Sequence, residues 1–541
     1  MPKLNLRTAV RIKTAGGEIA RLKGSGFAWT APVGYTVPAS AFTARDGAIL
    51  FQGHSLVDNR LMHAFRSWNE QASVTADVQQ TVIIGAPSWY IWDHSTEATG
   101  VDSRAYLVTP GVDAFVYAEG GPLDATGGTA VSPALPIDYG NRWSQLAWAN
   151  GARPLLYSIW PYTNTGSSEY QTAFPSDPYK EMTDWRAKID TLRPDYARIV
   201  GYVHARTPEG AAPFRLVPAD ALMAILYDTC LAGNLIGVSA SQAGFYAAMF
   251  TDNIHLTVYG WYAVACLHYA CVYGQSPVGL STVWEDDFEG LYSPMPTGPQ
   301  AAQLQAIAWA VAQADPLGPW GAQIPDDPYA ETGGGAAAEW WTPATSPQII
   351  GPAADTAVTQ GTLAWAYRWT GTELSASPPT PRMFTSDQFS FVEIAGGDDT
   401  TGRGIGSSLV NSSWGSITMA NQGGYNNWLM PDVTHNFVLV WTSAGTLSGG
   451  MTCQLWWNGV LVRGSTSALS NVGMQGTVMF GNYGGAIVNP GETQGWWYSN
   501  DTAMDPAVLF ADLFDGTSGL RDLAAPVTIS GTTPDVVQIG P

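Results

Sequence analysis

Cysteine is scarce: Cys230, Cys266, Cys271 and Cys453 are the only four in a chain of 541 residues. No Cys-x-x-Cys pair occurs, and three of the four fall in apolar stretches of helical pattern. That argues against a disulfide framework or a zinc site and for buried free thiols. Charge is scarce as well, at 13% of residues where about 25% is usual. It is also lopsided, with 24 Lys and Arg against 45 Asp and Glu and a net charge of −21. An anionic body of this kind excludes nucleic acid as an expected partner. No apolar run reaches the ~18 residues of a membrane span, so no membrane insertion is expected. No segment of signal-peptide type opens the sequence either, which predicts a protein kept inside the cell, released by lysis or carried in a particle. P-loop, dinucleotide-fingerprint and HExxH motifs are missing. His94 and His204 lack metal-ligand spacing with any partner. No cofactor and no metal are expected.

What is abundant is glycine (59), proline (36) and tryptophan (23), within a hydrophobic fraction of 45%. The length implies two or three domains. Residues 1–45 form an arm of short strands and turns: Val10-Arg11-Ile12 alternates and Gly16-Gly17 turns the chain. Within residues 1–24, Lys3, Arg7, Arg11, Lys13, Arg21 and Lys23 face Glu18 alone. A basic arm on an acidic body suits docking to a partner, and a solvated hairpin fits as well.

From 46 to 320, short apolar strands alternate with helical patterns. Strands are expected at Ala48–Phe51, Thr81–Ile84, Ala114–Tyr117 and Pro154–Ile159. Helices are expected over the segment carrying Leu61, Phe65 and Trp68, at 179–192 ending before Pro194, from Pro218 to about Gly233, at Val258–Tyr273 and at 299–314. This pattern predicts a mostly parallel sheet covered by helices on both faces, with ligands beyond the C-terminal strand ends. Residues 321–347, with Gly333-Gly334-Gly335, read as a linker. From 348 to 541 helices nearly vanish. Phe389–Ile394, Asn436–Trp441 and Cys453–Trp457 alternate, and Asn458-Gly459 is a two-residue hairpin turn. An all-β sandwich is expected there.

The chemistry-bearing residues are Ser55, in Gly53-His54-Ser55-Leu56-Val57-Asp58 at the exit of an apolar strand, and Asp252 and His255, just before an apolar helix. Serine, imidazole and carboxylate are the components of nucleophilic acyl transfer. Taken singly, the serine also fits a helix cap and Asp-x-x-His a capped helix start. Ser55, Gly85 and Gly120 all fall at predicted strand ends, and backbone N–H groups at the helix start beside Ser55 are candidate oxyanion donors. Asp398-Asp399 fits either calcium or a solvated turn. Glu285-Asp286-Asp287 and Asp326-Asp327 read as solvated loop charges.

The pair of motifs resembles the first and last sequence blocks of the SGNH (GDSL-like) hydrolase family, with His54 standing where that family often has Asp. The resemblance implies a three-layer, flavodoxin-like α/β domain and a triad of Ser55, His255 and Asp252. The family's oxyanion hole adds to Ser55 a Gly after the second strand, which Gly85 matches, and an Asn after the third. Ala118-Glu119-Gly120-Gly121-Pro122 carries no such Asn; a backbone N–H of Gly120 or Gly121 can stand in for it, and Asn141 and Asn164 are other candidate substitutes. The strand, Asn-Gly turn and strand at 455–462, with Met479-Phe480-Gly481 and Gly495-Trp496-Trp497, resemble a concanavalin-like or laminin-G-like jelly roll. The implied role is binding of sugar rings by tryptophans, with Trp428, Trp456, Trp457, Trp496 and Trp497 as candidates.

A hydrolase joined to a lectin-like module predicts a serine esterase that O-deacetylates a capsule or cell-surface polysaccharide. The architecture resembles phage or gene-transfer-agent spike and fibre proteins, attached to other particle proteins by the N-terminal arm and expected to be homo-oligomeric. The alternative is a non-catalytic, polysaccharide-binding spike that keeps the SGNH fold as scaffold.

Overall fold

The computed structural model describes residues 42–120, 123, 134–174, 177, 179–286, 290–291, 294–321 and 325–327. It also describes a strand pair at 10–14 and 17–22 and, beyond 347, a set of strands with a few flanking residues. The chain divides into two compact units, Met1–Thr126 with Pro136–Pro328, and Gly127–Leu135 with Tyr329–Pro541.

In the first unit, β1 (Val10–Thr14) and β2 (Gly17–Leu22) form the expected antiparallel hairpin. The central sheet contains β3 (Ala48–Gly53), β4 (Val78–Val82), β5 (Thr99–Gly100), β6 (Val112–Ala118), β7 (Arg153–Tyr157) and β8 (Arg215–Val217). Their order is β5-β4-β3-β6-β7-β8, parallel except for β5. The connecting helices are α1 (Asn59–Gln71), α2 (Ser88–His94), α3 (Ser103–Leu107), α4 (Ala134–Ala149), α5 (Ser168–Ala173), α6 (Trp185–Ala205), α7 (Ala219–Leu231), α8 (Gln242–Met249) and α9 (Val258–Tyr273). The short pair β9 (Glu285–Asp286) and β10 (Gly290–Leu291) and then α10 (Gly298–Ala314) follow. Glu285 and Asp286 are thus strand residues rather than loop charges.

Side-chain alternation sets the three layers. Phe51 meets Phe65 of α1, and Tyr157 meets His268 of α9, on one face. Phe115 meets Trp143 of α4 on the other. Helix α9 is apolar all round and buried along its length, as a helix covered on every side must be. Among the described residues no helix is long and apolar enough to cross a membrane. All four cysteines are free and buried.

Three expectations need correction. The second strand stops at Val82, not Ile84. Ala86 N–H bonds back to Ile83 O at 3.1 Å, and Gly85 takes φ +73° in that turn, leaving Ile84 77% exposed. Helix α6 runs through Pro194 instead of ending before it. An interior proline costs about 3 kcal/mol, which burial of Ile189, Leu192, Tyr196, Ile199, Val200 and Val203 outweighs at about 1.5–3 kcal/mol per large apolar side chain. Part of the expected arm and linker packs on the domain. Thr43 N–H bonds Val272 O, Arg45 bonds Trp68 O, and Asp327 pairs with Arg206 at 2.7 Å, so Asp327 is no solvated charge.

The second unit holds two six-stranded antiparallel sheets. One is built from β11 (Gln348–Ile350), β13 (Arg382–Thr385), β14 (Phe389–Ile394), β15 (Gly404–Leu409), β16 (Ile417–Thr418) and β20 (Thr477–Met479). The other is built from β12 (Gln360–Trp369), β17 (Thr434–Thr442), β18 (Cys453–Trp457), β19 (Val460–Ser465), β21 (Gly491–Ser499) and β22 (Val536–Gln538). Trp457 pairs with Val460 across β18 and β19, and Asn458-Gly459 lies outside the described residues. Asp398-Asp399 lies outside the described residues.

Candidate active site

The strand order fixes where a site can be. Chain progression reverses between β3 and β6, and in open parallel sheets ligands bind beyond the strand ends at that switch point. Ser55 leaves β3 there, and Glu119-Gly120 leaves β6. Val57 N–H bonds His54 O at 2.8 Å, closing a turn around Ser55. Helix α1 begins only at Asn59, capped by the Asp58 carboxylate on Arg60 N–H. Ser55 therefore sits ahead of the helix, not in its first turn, and Arg60 N–H at the helix start is taken by Asp58.

The loop that leads into α9 brings the imidazole and a carboxylate. Phe250 and Leu256 form a bridge, Thr251 N–H bonds His255 O at 2.8 Å, and Thr257 caps α9 through Gly260 N–H. Within this loop Asp252 Oδ1 accepts the N–H groups of Ile254 and His255, each at 2.8 Å. Asp252 Oδ2 lies 2.6 Å from His255 Nδ1, and His255 Nε2 lies 2.7 Å from Ser55 Oγ. Trp160 Nε1 to Ile254 O at 2.9 Å and Thr163 N to Asn253 O at 2.8 Å pin the loop to the exit of β7. Burial pushes the Asp252 carboxyl up, but the backbone donors and the imidazole overcome it and hold the group below the usual carboxylate range. An ionised Asp252 fixes the proton on Nδ1 and leaves Nε2 bare toward the serine hydroxyl.

Beside Ser55 opens a pocket of about 130 Å³. Its polar side is His54, Ser55, Gly85 and Gly120; its other side carries Trp160, Tyr162, Tyr170 and Phe174 with Ile159, Leu192 and Ile254. Among the described residues the N–H groups of Ser55 and Gly85 have no protein acceptor, and they are the donors open to an oxyanion. Gly120 needs correction: its N–H is engaged by Glu119 Oε1 at 2.9 Å. Neither Asn141 nor Asn164 lines the pocket. Asn141 instead accepts from Gln145 at 3.4 Å on the surface of α4.

Sequence reasoning missed the aromatic wall and its anchor. Lys188 Nζ, fully buried, contacts Asp177 Oδ2 at 2.5 Å and Tyr170 OH at 3.2 Å, and Tyr170 OH also bonds Asp177 at 2.7 Å. This ties α5, with Tyr170, to α6. Spacing alone carried no signal for it, since the partners sit in unrelated local patterns.

The tryptophan candidates separate. Trp457 is buried, against Phe437 at 5.4 Å, with its Nε1 donating to His435 Nδ1 at 3.0 Å. It is a core residue because β18 is an interior strand and Trp457 shares a face with its ladder partner Phe437. Trp456, on the opposite face, is half-buried. Trp496 and Trp497 pair in β21 with Gln538 and Val537, and their side chains lie outside what is described, as does Trp428. Elsewhere, His94 stacks on Tyr90 at 3.9 Å and His204 lies 3.2 Å from Arg215.

The sequence matches no protein-family model and no curated protein. Similar solved structures include a DUF4886 family protein from Bacteroides uniformis, at 12% identity over 49% of this chain and 94% of that one, TM-score 0.33. TesA is similar at 18% identity over 40% and 93%, TM-score 0.23. A GDSL-like lipase from Bacteroides thetaiotaomicron is similar at 15% over 42% and 87%, TM-score 0.23.

Proposed function

We propose that this chain is a serine ester hydrolase of SGNH type. The observation that carries the reading is the continuous relay from Ser55 Oγ through His255 to Asp252, at 2.7 and 2.6 Å. Ser55 Oγ attacks the ester carbonyl as its proton passes to His255 Nε2. The N–H groups of Ser55 and Gly85 receive the negative charge on the carbonyl oxygen. Collapse expels the alcohol, which takes the proton from His255. Water, deprotonated by the same Nε2, then attacks the acyl-serine and releases the carboxylic acid and the free enzyme.

The substrate we propose is an O-acylated polysaccharide, with acetate as the acid released. The half-buried rings of Tyr162 and Phe174 beside the nucleophile offer apolar faces of the kind sugar rings stack on, and the β-rich second unit, as a jelly roll, is the proposed glycan-binding module. The basic N-terminal hairpin suits attachment to other proteins of a phage-like particle, in which the chain acts as an oligomeric spike or fibre. Two observations favour the alternative of a non-catalytic polysaccharide-binding spike: among the described residues no Asn lines the pocket, and Gly120 gives its N–H to Glu119. The deciding experiment is fluorophosphonate labelling with site mapping, together with acetate release from host polysaccharide. Ser55 should be labelled, and Ser55→Ala should remove labelling and release alike. An unlabelled wild type inert on esters would establish the scaffold reading instead.

A further inference from the structure

We infer that Glu119 is a positioning residue for the Ser55 reaction: its buried carboxyl clamps the loop that carries Gly85 to the one that carries Gly120, while its main-chain oxygen holds the loop that carries Ser55. The inference rests on the esterase reading. Glu119 is the first residue beyond β6 and is 1% exposed. Its Oε1 accepts from Gly120 N at 2.9 Å and from Ser88 N at 3.1 Å, and its Oε2 bonds the Ser88 hydroxyl. Its main-chain oxygen accepts from His54 Nε2 at 3.0 Å, while His54 Nδ1 accepts from Leu56 N–H at 3.3 Å. His54 adjoins Ser55. Ser88 stands three residues after Gly85 and is held from behind by Trp143 Nε1 on its carbonyl at 3.1 Å. A single residue therefore joins the exits of β3, β4 and β6, the strand ends that frame the pocket. The joint is tight, since a Cβ on Gly120 would come within 2.8 Å of Pro87 Cβ.

The arrangement asks for acceptors, not for charge. The groups facing the carboxyl are Ser88 at the start of α2, His54 beyond β3, Tyr117 on β6 and Tyr196 on α6. None is a cation: burial keeps His54 neutral, pushing it down to about 4. Burial also raises Glu119 to about 7, with its hydrogen-bond donors opposing. An amide reproduces the geometry. A Gln oxygen accepts both N–H groups, and its NH2 donates to the Ser88 hydroxyl. Glu119 touches no reacting atom. It acts by holding the turn that presents Gly85 N–H in register with Ser55 N–H.

The test uses the full chain with p-nitrophenyl acetate, comparing wild type, Glu119→Ala, Glu119→Gln and Ser88→Ala. Glu119→Ala should lower kcat about 10²-fold, the low end for loss of one oxyanion donor, with KM little changed. Glu119→Gln should restore kcat, and its pH–rate profile should lose whatever inflection Glu119 contributes. Should Glu119→Ala fail to fold, Ser88→Ala, which removes only the hydroxyl contact, should give a smaller loss of kcat at constant KM. Wild-type kcat in Glu119→Ala, or in a folded Ser88→Ala where the former is insoluble, overturns the inference. So does a Glu119→Gln as inactive as Glu119→Ala, since that would make the carboxylate's charge essential. A wild type that fluorophosphonate does not label sinks the esterase reading and takes the inference with it; a labelled wild type confines any failure to Glu119.

Discussion

Replacing Asp252 with Asn tests the relay at its least protected point. The Asp252 side chain is 53% exposed, so its value lies in hydrogen-bond direction more than in buried charge. Its Oδ1 holds two backbone N–H groups and its Oδ2 holds His255 Nδ1. An Asn has one oxygen to meet both demands. Keeping the oxygen on Ile254 and His255 N–H retains two bonds, about 2 kcal/mol together at ~1 kcal/mol each. It then aims NH2 at Nδ1, which forces the imidazole proton onto Nε2, facing Ser55 Oγ. The flipped amide keeps the imidazole but sets a donor against two donors. The first arrangement wins on that count, so the base is held in the wrong tautomer. Buried triads lose about 10⁴-fold in kcat on this substitution; with solvent able to reach this carboxylate, a loss of about 10³-fold is expected. Stability should change little, because the loop's backbone bonds survive. Steady-state kinetics on p-nitrophenyl acetate, with urea unfolding as control, reads both quantities. A folded Asp252→Asn within tenfold of wild type would refute the assignment of Asp252 as the group that orients His255.

Three further outcomes follow from the same contacts. Lys188→Met should cost about 3–5 kcal/mol in urea unfolding by stranding Asp177, and lower kcat/KM as Tyr170 shifts; the double variant with Asp177→Leu should regain much of the stability, and failure to do so would argue against the pair as anchor. Glu119 binds its proton more tightly folded, at about 7, than unfolded, near 4.5, so its contribution to stability is fully present below about 4.5 and is lost as pH rises toward 7, by about 3 kcal/mol for this group alone. Glu119→Gln should remove that decline, and urea midpoints at pH 5 and pH 8 that change equally in both proteins would contradict it. A chain ending at Pro328 should keep small-ester hydrolysis and lose polysaccharide affinity, whereas one ending at Pro319 should also lose stability with the Arg206–Asp327 pair and the Trp320 ring packed on Phe42 at 4.7 Å; equal polysaccharide binding by the chain ending at Pro328 and the full chain would remove the second unit from recognition.

The parallel sheet was legible through β3, β6 and β7, whose short apolar runs are how buried parallel strands read, whereas the polar β4 (Val78-Gln79-Gln80-Thr81-Val82) was placed late and the short β8 (Arg215-Leu216-Val217) was not seen. Helix α9 was legible to the residue, with Thr257 and Gly274 marking its ends. Pro194 misled for a physical reason: a local rule that ends helices there weighs one missing hydrogen bond, while the fold weighs a row of buried side chains. The tryptophans at 456 and 457 show the converse. Alternation says that the two face opposite ways, yet which way is inward depends on the neighbouring strands β17 and β19, which period-two counting does not contain.

At the site, the three residues of the hydrogen-bonded relay were legible and the residues that hold them were not. Ser55, Asp252 and His255 carry chemistry that few other arrangements need, and each stands at an element boundary. Glu119 was visible only as the absence of an Asn. Its work depends on a turn closing behind it, a helix starting opposite and a histidine crossing from β3, three contacts separated by 1, 31 and 65 residues in sequence. Yet one signal was there. An ionisable side chain stands directly after the apolar run Phe115-Val116-Tyr117-Ala118, at a strand end beside the switch point; it is buried, and a buried carboxyl must find donors. The donors that it finds are the backbone N–H groups of the very loops that frame Ser55. The substitution of Glu for the expected Asn pattern therefore marks a site braced from within by an acceptor, where the family pattern would supply a donor to the substrate.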